Sequence, residues 1–328
     1  MARSNEVKRY TYGEGNVRFA ILDCDAGHEF SRDASIRGVR PFKCEEHETE
    51  RAPRMPRGRM EGPKTEAETK AEEKAKRTHH MMWPRLVTML KAHSAEYPIQ
   101  PYLFGEAGTG KTFTAGLAAK HLGHEFRAES CSIGGTEVDF FGFIDANGKY
   151  HRTAFRDVWE NGGVFLADEL DKASPYVLSK LNNAFASNTG QCVEFPDGPI
   201  PRHPNCIIIG AGNTDMRGGT EKYHTSQPVD AATMTRFVFI EWGYDEEFEF
   251  TLVDEKHESW VKRVHALRKA VADTANQSAN INVSPRAILA GARLREAGMP
   301  VTLIEESVVW QGVNEDTKRT IKSAARAA

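Results

Sequence analysis

Eight consecutive residues constrain this chain more than any other stretch: Gly105, Glu106, Ala107, Gly108, Thr109, Gly110, Lys111 and Thr112 spell G-x-x-x-x-G-K-[ST]. They stand directly after the apolar run 102–104 and directly before the helical run 113–122, and a strand before and a helix after are the context the motif requires. Glycines let such a turn wrap an anion with its N–H groups pointing inward, and the following helix adds partial positive charge at its N-terminus. In that geometry Lys111 reaches the β- and γ-phosphates and the Thr112 hydroxyl ligates Mg²⁺. The expectation is a site for ATP and Mg²⁺ at one edge of a parallel sheet.

The surrounding pattern agrees with a sheet of that kind. Apolar runs at 102–104, 126–131, 164–167, 206–209 and 237–240 alternate with helical segments, which predicts an α/β fold: a parallel five-stranded sheet with helices on both faces. After Tyr244 the strands stop, and Trp260, Val264, Leu267 and Val271 recur at helical spacing, so the C-terminal part reads as a helical lid. Residues 81–245 are thus the α/β core and 246–328 the lid. Before them, residues 1–48 carry β-like runs at 17–22 and 39–42 and read as a small β module. Residues 49–80 form a charged linker, poor in apolar residues and broken by Pro53, Pro56, Gly58, Gly62 and Pro63. Its second half pairs Glu66 with Lys70, Glu72 with Lys76 and Glu73 with Arg77 at i,i+4, the pattern of a solvated helix.

Further candidate residues follow the strand pattern. The run 164–167 ends in Asp168 and Glu169; one strand after a phosphate loop, Asp168 is placed for the Mg²⁺ shell and Glu169 to polarise the attacking water. Asn213 ends the next apolar strand, where its amide would lie beside the γ-phosphate. Arg236 and Arg286 are candidates for stabilising transition-state charge, with Ser284 and Pro285 setting the start of a helix.

Composition excludes several classes. With 43 Lys+Arg against 46 Asp+Glu the formal net charge is -3, so no global positive field draws the chain onto polyanions. The first residues lack the apolar run of a signal peptide, and no stretch reaches the ~18 apolar residues of a membrane span; a soluble, cytoplasmic protein is expected. Five cysteines make no disulfide framework in that context. Cys24 with His28 and Cys44 with His47 form two close pairs suited to one tetrahedral Zn²⁺, which would stabilise a module too small to fold on apolar burial alone. Between Arg51 and Lys64 lie five basic residues and one acidic residue, the basis of a second reading in which the N-terminal module directs the protein to nucleic acid.

The order of motifs resembles an AAA+ ATPase of the MoxR-type, helix-2-insert group, and within it the small ATPase subunit of cobaltochelatase, over about residues 81–300. The resemblance rests on the phosphate loop, Asp168 and Glu169; on residues 139–145 with 148–152, where such proteins carry a hairpin inside their second helix; on 195–198, like the hairpin before sensor 1; and on 212–214 followed by 219–237. Thr235 stands where the family has Asp, and Phe237 where it often has Trp. The resemblance implies a homo-oligomeric ring, usually a hexamer, with ATP at subunit interfaces. It also implies Asn213 as sensor 1, Arg236 as the arginine finger given to a neighbour, Arg286 as sensor 2, and a partner carrying a von Willebrand factor A domain. The first fifty residues and the short helical tail depart from the pattern, so remodelling of a protein partner, rather than metal chelation itself, is the expected function. A small-molecule kinase shares the phosphate loop, but Glu169, Asn213 and two trailing arginines argue against it.

Overall fold

Near-continuous apolar strands need cover on both faces, and the computed structural model supplies it. It describes strands at residues 7–12, 18–23 and 29–33, and the chain over 78–274 and 281–327. The chain divides into two units, Met1–Thr65 and Glu66–Ala328. In the first, β1 (Val7–Tyr12), β2 (Arg18–Asp23) and β3 (Glu29–Asp33) form an antiparallel sheet in sequence order, with Phe19 opposite Thr11 and Asp33. The expected run 17–22 corresponds to β2. The run 39–42, the helix at 65–77 and the candidate zinc ligands Cys24, His28, Cys44 and His47 lie outside the described residues.

The second unit continues with β4 (Pro101–Phe104), β5 (Phe126–Ser130), a hairpin of β6 (Phe143–Ile144) and β7 (Tyr150–His151), then β8 (Gly163–Asp168), a hairpin of β9 (Cys192–Phe195) and β10 (Gly198–Pro201), β11 (Cys206–Gly212) and β12 (Val238–Glu241). Five of these make one parallel sheet in the order β12-β4-β11-β8-β5. Successive side chains on a strand face opposite ways. Val164 and Leu166 of β8, with Ile207, Ile209 and Ala211 of β11, therefore pack against the helices Trp83–Ala92 and Lys111–His121. Phe165, Ala167 and Ile208 turn to the other layer, where Phe155 and Trp159 of Ala154–Asn161 and Leu181 and Phe185 of Pro175–Ala186 cover them. Each such fully buried large side chain contributes roughly 1.5–3 kcal/mol.

The covering helices begin where local chemistry dictates. Ser174 accepts from the Val177 N–H ahead of Pro175, and Asp230 accepts from the Thr233 N–H ahead of the short helix Ala231–Met234. Two hairpins interrupt this order: β6 and β7 separate the helices Val138–Phe141 and Ala154–Asn161, and β9 and β10 precede β11. Arg156 ties the second hairpin down. Only 2 % exposed, it reaches Asp197 at 2.7 Å and lies over the Phe195 ring.

Beyond β12 the chain is helical, as the pattern predicts. Helices Glu258–Asp273, Pro285–Glu296, Val301–Val308 and Glu315–Ala327 enclose a separate core that includes Trp260, Val264, Leu267, Ile288, Ile304, Trp310 and Ile321. Among the described residues no helix is long and apolar enough to cross a membrane. Gly291 marks the tightest approach in this lid, since a Cβ there would meet the Trp260 ring at 2.2 Å. Gly→Ala inside a helix ordinarily gains about 0.5–1 kcal/mol, but overpacking against a ring that cannot retreat costs about 1–3 kcal/mol. Gly291→Ala is therefore expected to destabilise the protein, measured as a lower denaturant midpoint; a rise would show that the Trp260 packing yields.

Candidate functional site

The phosphate loop leaves the C-terminal end of β4, which lies between β12 and β11; the next strand of the sheet, β5, lies beyond β11 and β8 on one side, and the last, β12, pairs on the other. Such a switch point is where open parallel sheets form crevices. Gly105 takes φ +145°, and a Cβ there would fall 2.4 Å from the Trp242 carbonyl oxygen, so only glycine lets the chain turn under β12. Gly110, at φ 86°, opens the helix Lys111–His121. Lys111 Nζ donates to the carbonyls of Gly105 (2.7 Å) and Glu106 (2.9 Å) and lies 3.5 Å from Asn213 Oδ1. Burial pulls its pKa down to about 8, although Asp168, Asp171 and Glu106 act in the opposite sense.

The acidic pair stands opposite. Thr112 Oγ1 donates to Asp168 Oδ2 at 2.5 Å, and Asp168 Oδ1 accepts from the Glu169 N–H at 2.9 Å. A hydroxyl and a carboxylate are the hard oxygen donors that suit Mg²⁺. Glu169 has φ 51°, a left-handed conformation that costs a non-glycine residue on the order of 1–3 kcal/mol and persists only where its surroundings enforce it. Its carboxylate meets Lys172 Nζ at 2.6 Å and accepts from Ser130 Oγ at 3.4 Å.

These groups line one cleft of about 610 Å³, together with Ala107, Gly108, Thr109, Gly110 and Arg286, the last at the start of the helix Pro285–Glu296. Sequence residues 107–112, Asp168, Glu169, Asn213 and Arg286 are thus brought together. Glu106 is not; its carboxylate turns to Lys222 Nζ (2.5 Å) and the Tyr223 hydroxyl (2.7 Å). Arg236 is not either. β12 runs parallel to β4 with Val238 opposite Pro101 and Glu241 opposite Phe104, so Arg236, just before β12, lies at the sheet edge away from the loop. The four residues of β4 separate the two edges by roughly 13 Å at ~3.3 Å per residue.

Residues 102–237 match the family described as AAA domain (dynein-related subfamily). This segment is an AAA+ domain. The chain is also similar to a RuvB variant from Thermotoga maritima, at 15% identity over 68% of this chain and 67% of that one with a TM-score of 0.42. A candidate ATPase from Cytophaga hutchinsonii gives 14% identity over 79% and 93%, with a TM-score of 0.42. NtrX from Brucella abortus gives 14% over 74% and 52%, with a TM-score of 0.40. AAA+ ATPases use ATP and Mg²⁺, and the oxygen donors of this AAA+ domain fit that pair. Among the described residues there is no cluster of three or more His, Cys, Asp or Glu able to hold a metal ion.

Two parts of the site had no counterpart in the sequence reading. The cleft is also lined by His80, Tyr244, Phe248, Leu252 and Leu289, with Asp245 and Glu249 beside them. His80 falls in the stretch read as linker, yet it is buried, stacked on Trp242 with ring centroids 4.4 Å apart, and bonded through Nε2 to the Gly243 carbonyl. Such a slot suits a planar ring. The second part is Asp171, fully buried two residues past Glu169; its Oδ2 accepts from the Asn213 N–H, the Thr214 N–H and hydroxyl, and Ser226 Oγ at 2.7–3.1 Å. A buried carboxylate collecting four donors sets where Asn213 stands. Asp171→Ala strands all four, each worth about 1–3 kcal/mol when left without a partner. We expect a loss of about 2–4 kcal/mol in denaturant unfolding after partial relaxation; a loss below the scatter of surface substitutions would show that Asn213 is positioned by the strand alone.

Proposed function

We propose that this chain hydrolyses ATP within a ring of like subunits and uses the energy to remodel a protein partner. The observation that carries the reading is the convergence, in one cleft, of Lys111, Thr112, Asp168, Glu169, Asn213 and Arg286. Mg²⁺ held through Thr112 and Asp168 would neutralise charge on the β- and γ-phosphate oxygens. Lys111 and Arg286 offset the remaining negative charge, and the Asn213 amide orients the water. Glu169 takes the proton as that water's oxygen bonds to the γ-phosphorus and the bond to the β,γ-bridging oxygen breaks, leaving ADP and phosphate.

Arg236, at the far edge of its own sheet, supports a role in the site of an adjacent subunit and hence a ring, a hexamer by the resemblance. The same resemblance supports a partner with a von Willebrand factor A domain, and the division into an N-terminal module, linker, AAA+ core and lid. Glu169→Gln keeps the side chain's shape and removes the base, so ATP should still bind while phosphate release falls at least ~100-fold; release near the wild-type rate would remove Glu169 from this role.

The ring is tested by mixing inactive subunits. Arg236→Ala subunits should bind ATP yet hydrolyse none as a pure population, and Lys111→Ala subunits should fail to hold the phosphates. Mixed, the second supply the arginine that the first lack. An arginine finger is worth on the order of 10³–10⁵ in rate, so restored phosphate release should stand clear of background. Confirmed subunit exchange without recovery would place Arg236 in its own subunit or in the fold.

A further inference from the structure

The segment between Asn213 and Arg236 carries Gly219, Thr220, Glu221, Lys222, Tyr223 and His224, and the cleft chemistry uses none of them. Their placement is specific. The Tyr223 hydroxyl donates to Glu106 Oε2 at 2.7 Å and accepts from the Ala107 N–H at 2.9 Å, while Lys222 Nζ reaches the same carboxylate oxygen at 2.5 Å. The Glu106–Ala107 peptide is thereby fixed, and the Ala107 carbonyl, which accepts from Asn282 Nδ2 at 3.3 Å, holds the next. Burial and the Glu106 carboxylate push the Tyr223 pKa up, so the hydroxyl keeps its proton to donate. Behind Tyr223 the segment is anchored a second time: Ser226 Oγ donates to Asp171 Oδ2 and the Gln227 N–H to the Asp171 carbonyl, both at 2.7 Å. Asp171 is the carboxylate that holds Asn213. One segment thus links the back of the phosphate loop to the turn after Glu169 and runs on toward Arg236.

We propose that Tyr223 is a positioning residue: its hydroxyl sets the phosphate loop for nucleotide and ties the segment leading to Arg236 to the occupancy of that loop. Tyr223 lies outside the cleft, so it acts through the Glu106–Ala107 peptide and not on the phosphates. The inference rests on the reading of the cleft as an ATP site. Tyr223→Phe keeps the ring and removes both hydroxyl bonds, one of them to a carboxylate.

The test uses the full chain. Mg·ATP binding followed by calorimetry should show Kd raised about tenfold in Tyr223→Phe, with the change falling on KM and not on kcat in steady-state hydrolysis, a split that a general loss of stability would not produce. Glu106→Gln, which keeps an oxygen for the hydroxyl, should raise Kd less than about threefold. In wild-type protein, hydrogen exchange of the amides at 219–226 should slow when Mg·ATP is added, a readout that needs no variant to fold. Wild-type protein that binds Mg·ATP while Tyr223→Phe binds it equally well, or while exchange at 219–226 is unchanged, overturns the positioning role and leaves the ATP site standing. Wild-type protein that binds no Mg·ATP overturns the ATP site itself.

Discussion

A phosphate loop must keep amides available for its ligand, so its shape has to come from bonds made behind it. Here that support is Trp242, at the exit of β12. Its backbone N–H donates to the Phe104 carbonyl at 2.6 Å and its indole N–H to the Thr109 carbonyl at 3.3 Å, gripping the loop at both ends. Its carbonyl occupies the space a side chain at Gly105 would need, and its ring carries His80. The last strand of the sheet is in this sense the floor of the site. The fold around it serves to bring β12 alongside β4 in the register that puts Trp242 under the turn.

The parts of the molecule legible in the sequence are those written as local patterns. All five runs became strands, and the central β8 and β11, buried on both faces, are the ones that had to be apolar almost throughout, whereas the edge strands β5 and β12 keep exposed and charged positions. The phosphate loop and the Asp168, Glu169 pair were legible because each follows its strand without interruption. Tyr223 and Glu106 meet across 117 positions, and His80 and Gly243 across 163; no periodicity encodes such distances. The two arginines show the same limit. Read from the residues alone, Arg236 and Arg286 are alike, and it is the resemblance that assigns them different sites; the pairing of β12 with β4 leaves Arg236 at the far edge, while the helix Pro285–Glu296 brings Arg286 to the cleft.

Residues 242–249 join the two cores of this unit, and each face of the joint has a separate task. Tyr244 lies under the Arg268 guanidinium, 3.8 Å from ring centroid to Cζ, and its hydroxyl donates to Asn282. Asp245 accepts from the Phe248 and Met81 N–H groups, binding the start of the core to the start of the lid. Glu249, buried in the cleft wall, accepts from Arg268 Nη2 at 2.8 Å and meets His265 Nε2 at 2.8 Å. A buried carboxylate flanked by an arginine and a histidine is costly to strip of either partner, so these bonds fix the lid's internal geometry.

What remains adjustable is the meeting of charges across the cleft. Lys111 comes from the sheet layer and Arg286 from the lid, and the two face one space. Burial is the main reason the Lys111 pKa falls to about 8, with the Arg286 charge adding to it. Two cations supplied by separately packed cores and facing one space repel each other. A polyphosphate between them replaces one repulsion by two attractions in a partly desolvated setting, where charge interactions are stronger than in water. In the ATP site proposed above, a ligand's negative charge would thus hold the C-terminal helices to the sheet layer. Because Lys111 and Arg286 belong to different halves of the unit, the cleft's positive charge is complete only where the two cores meet.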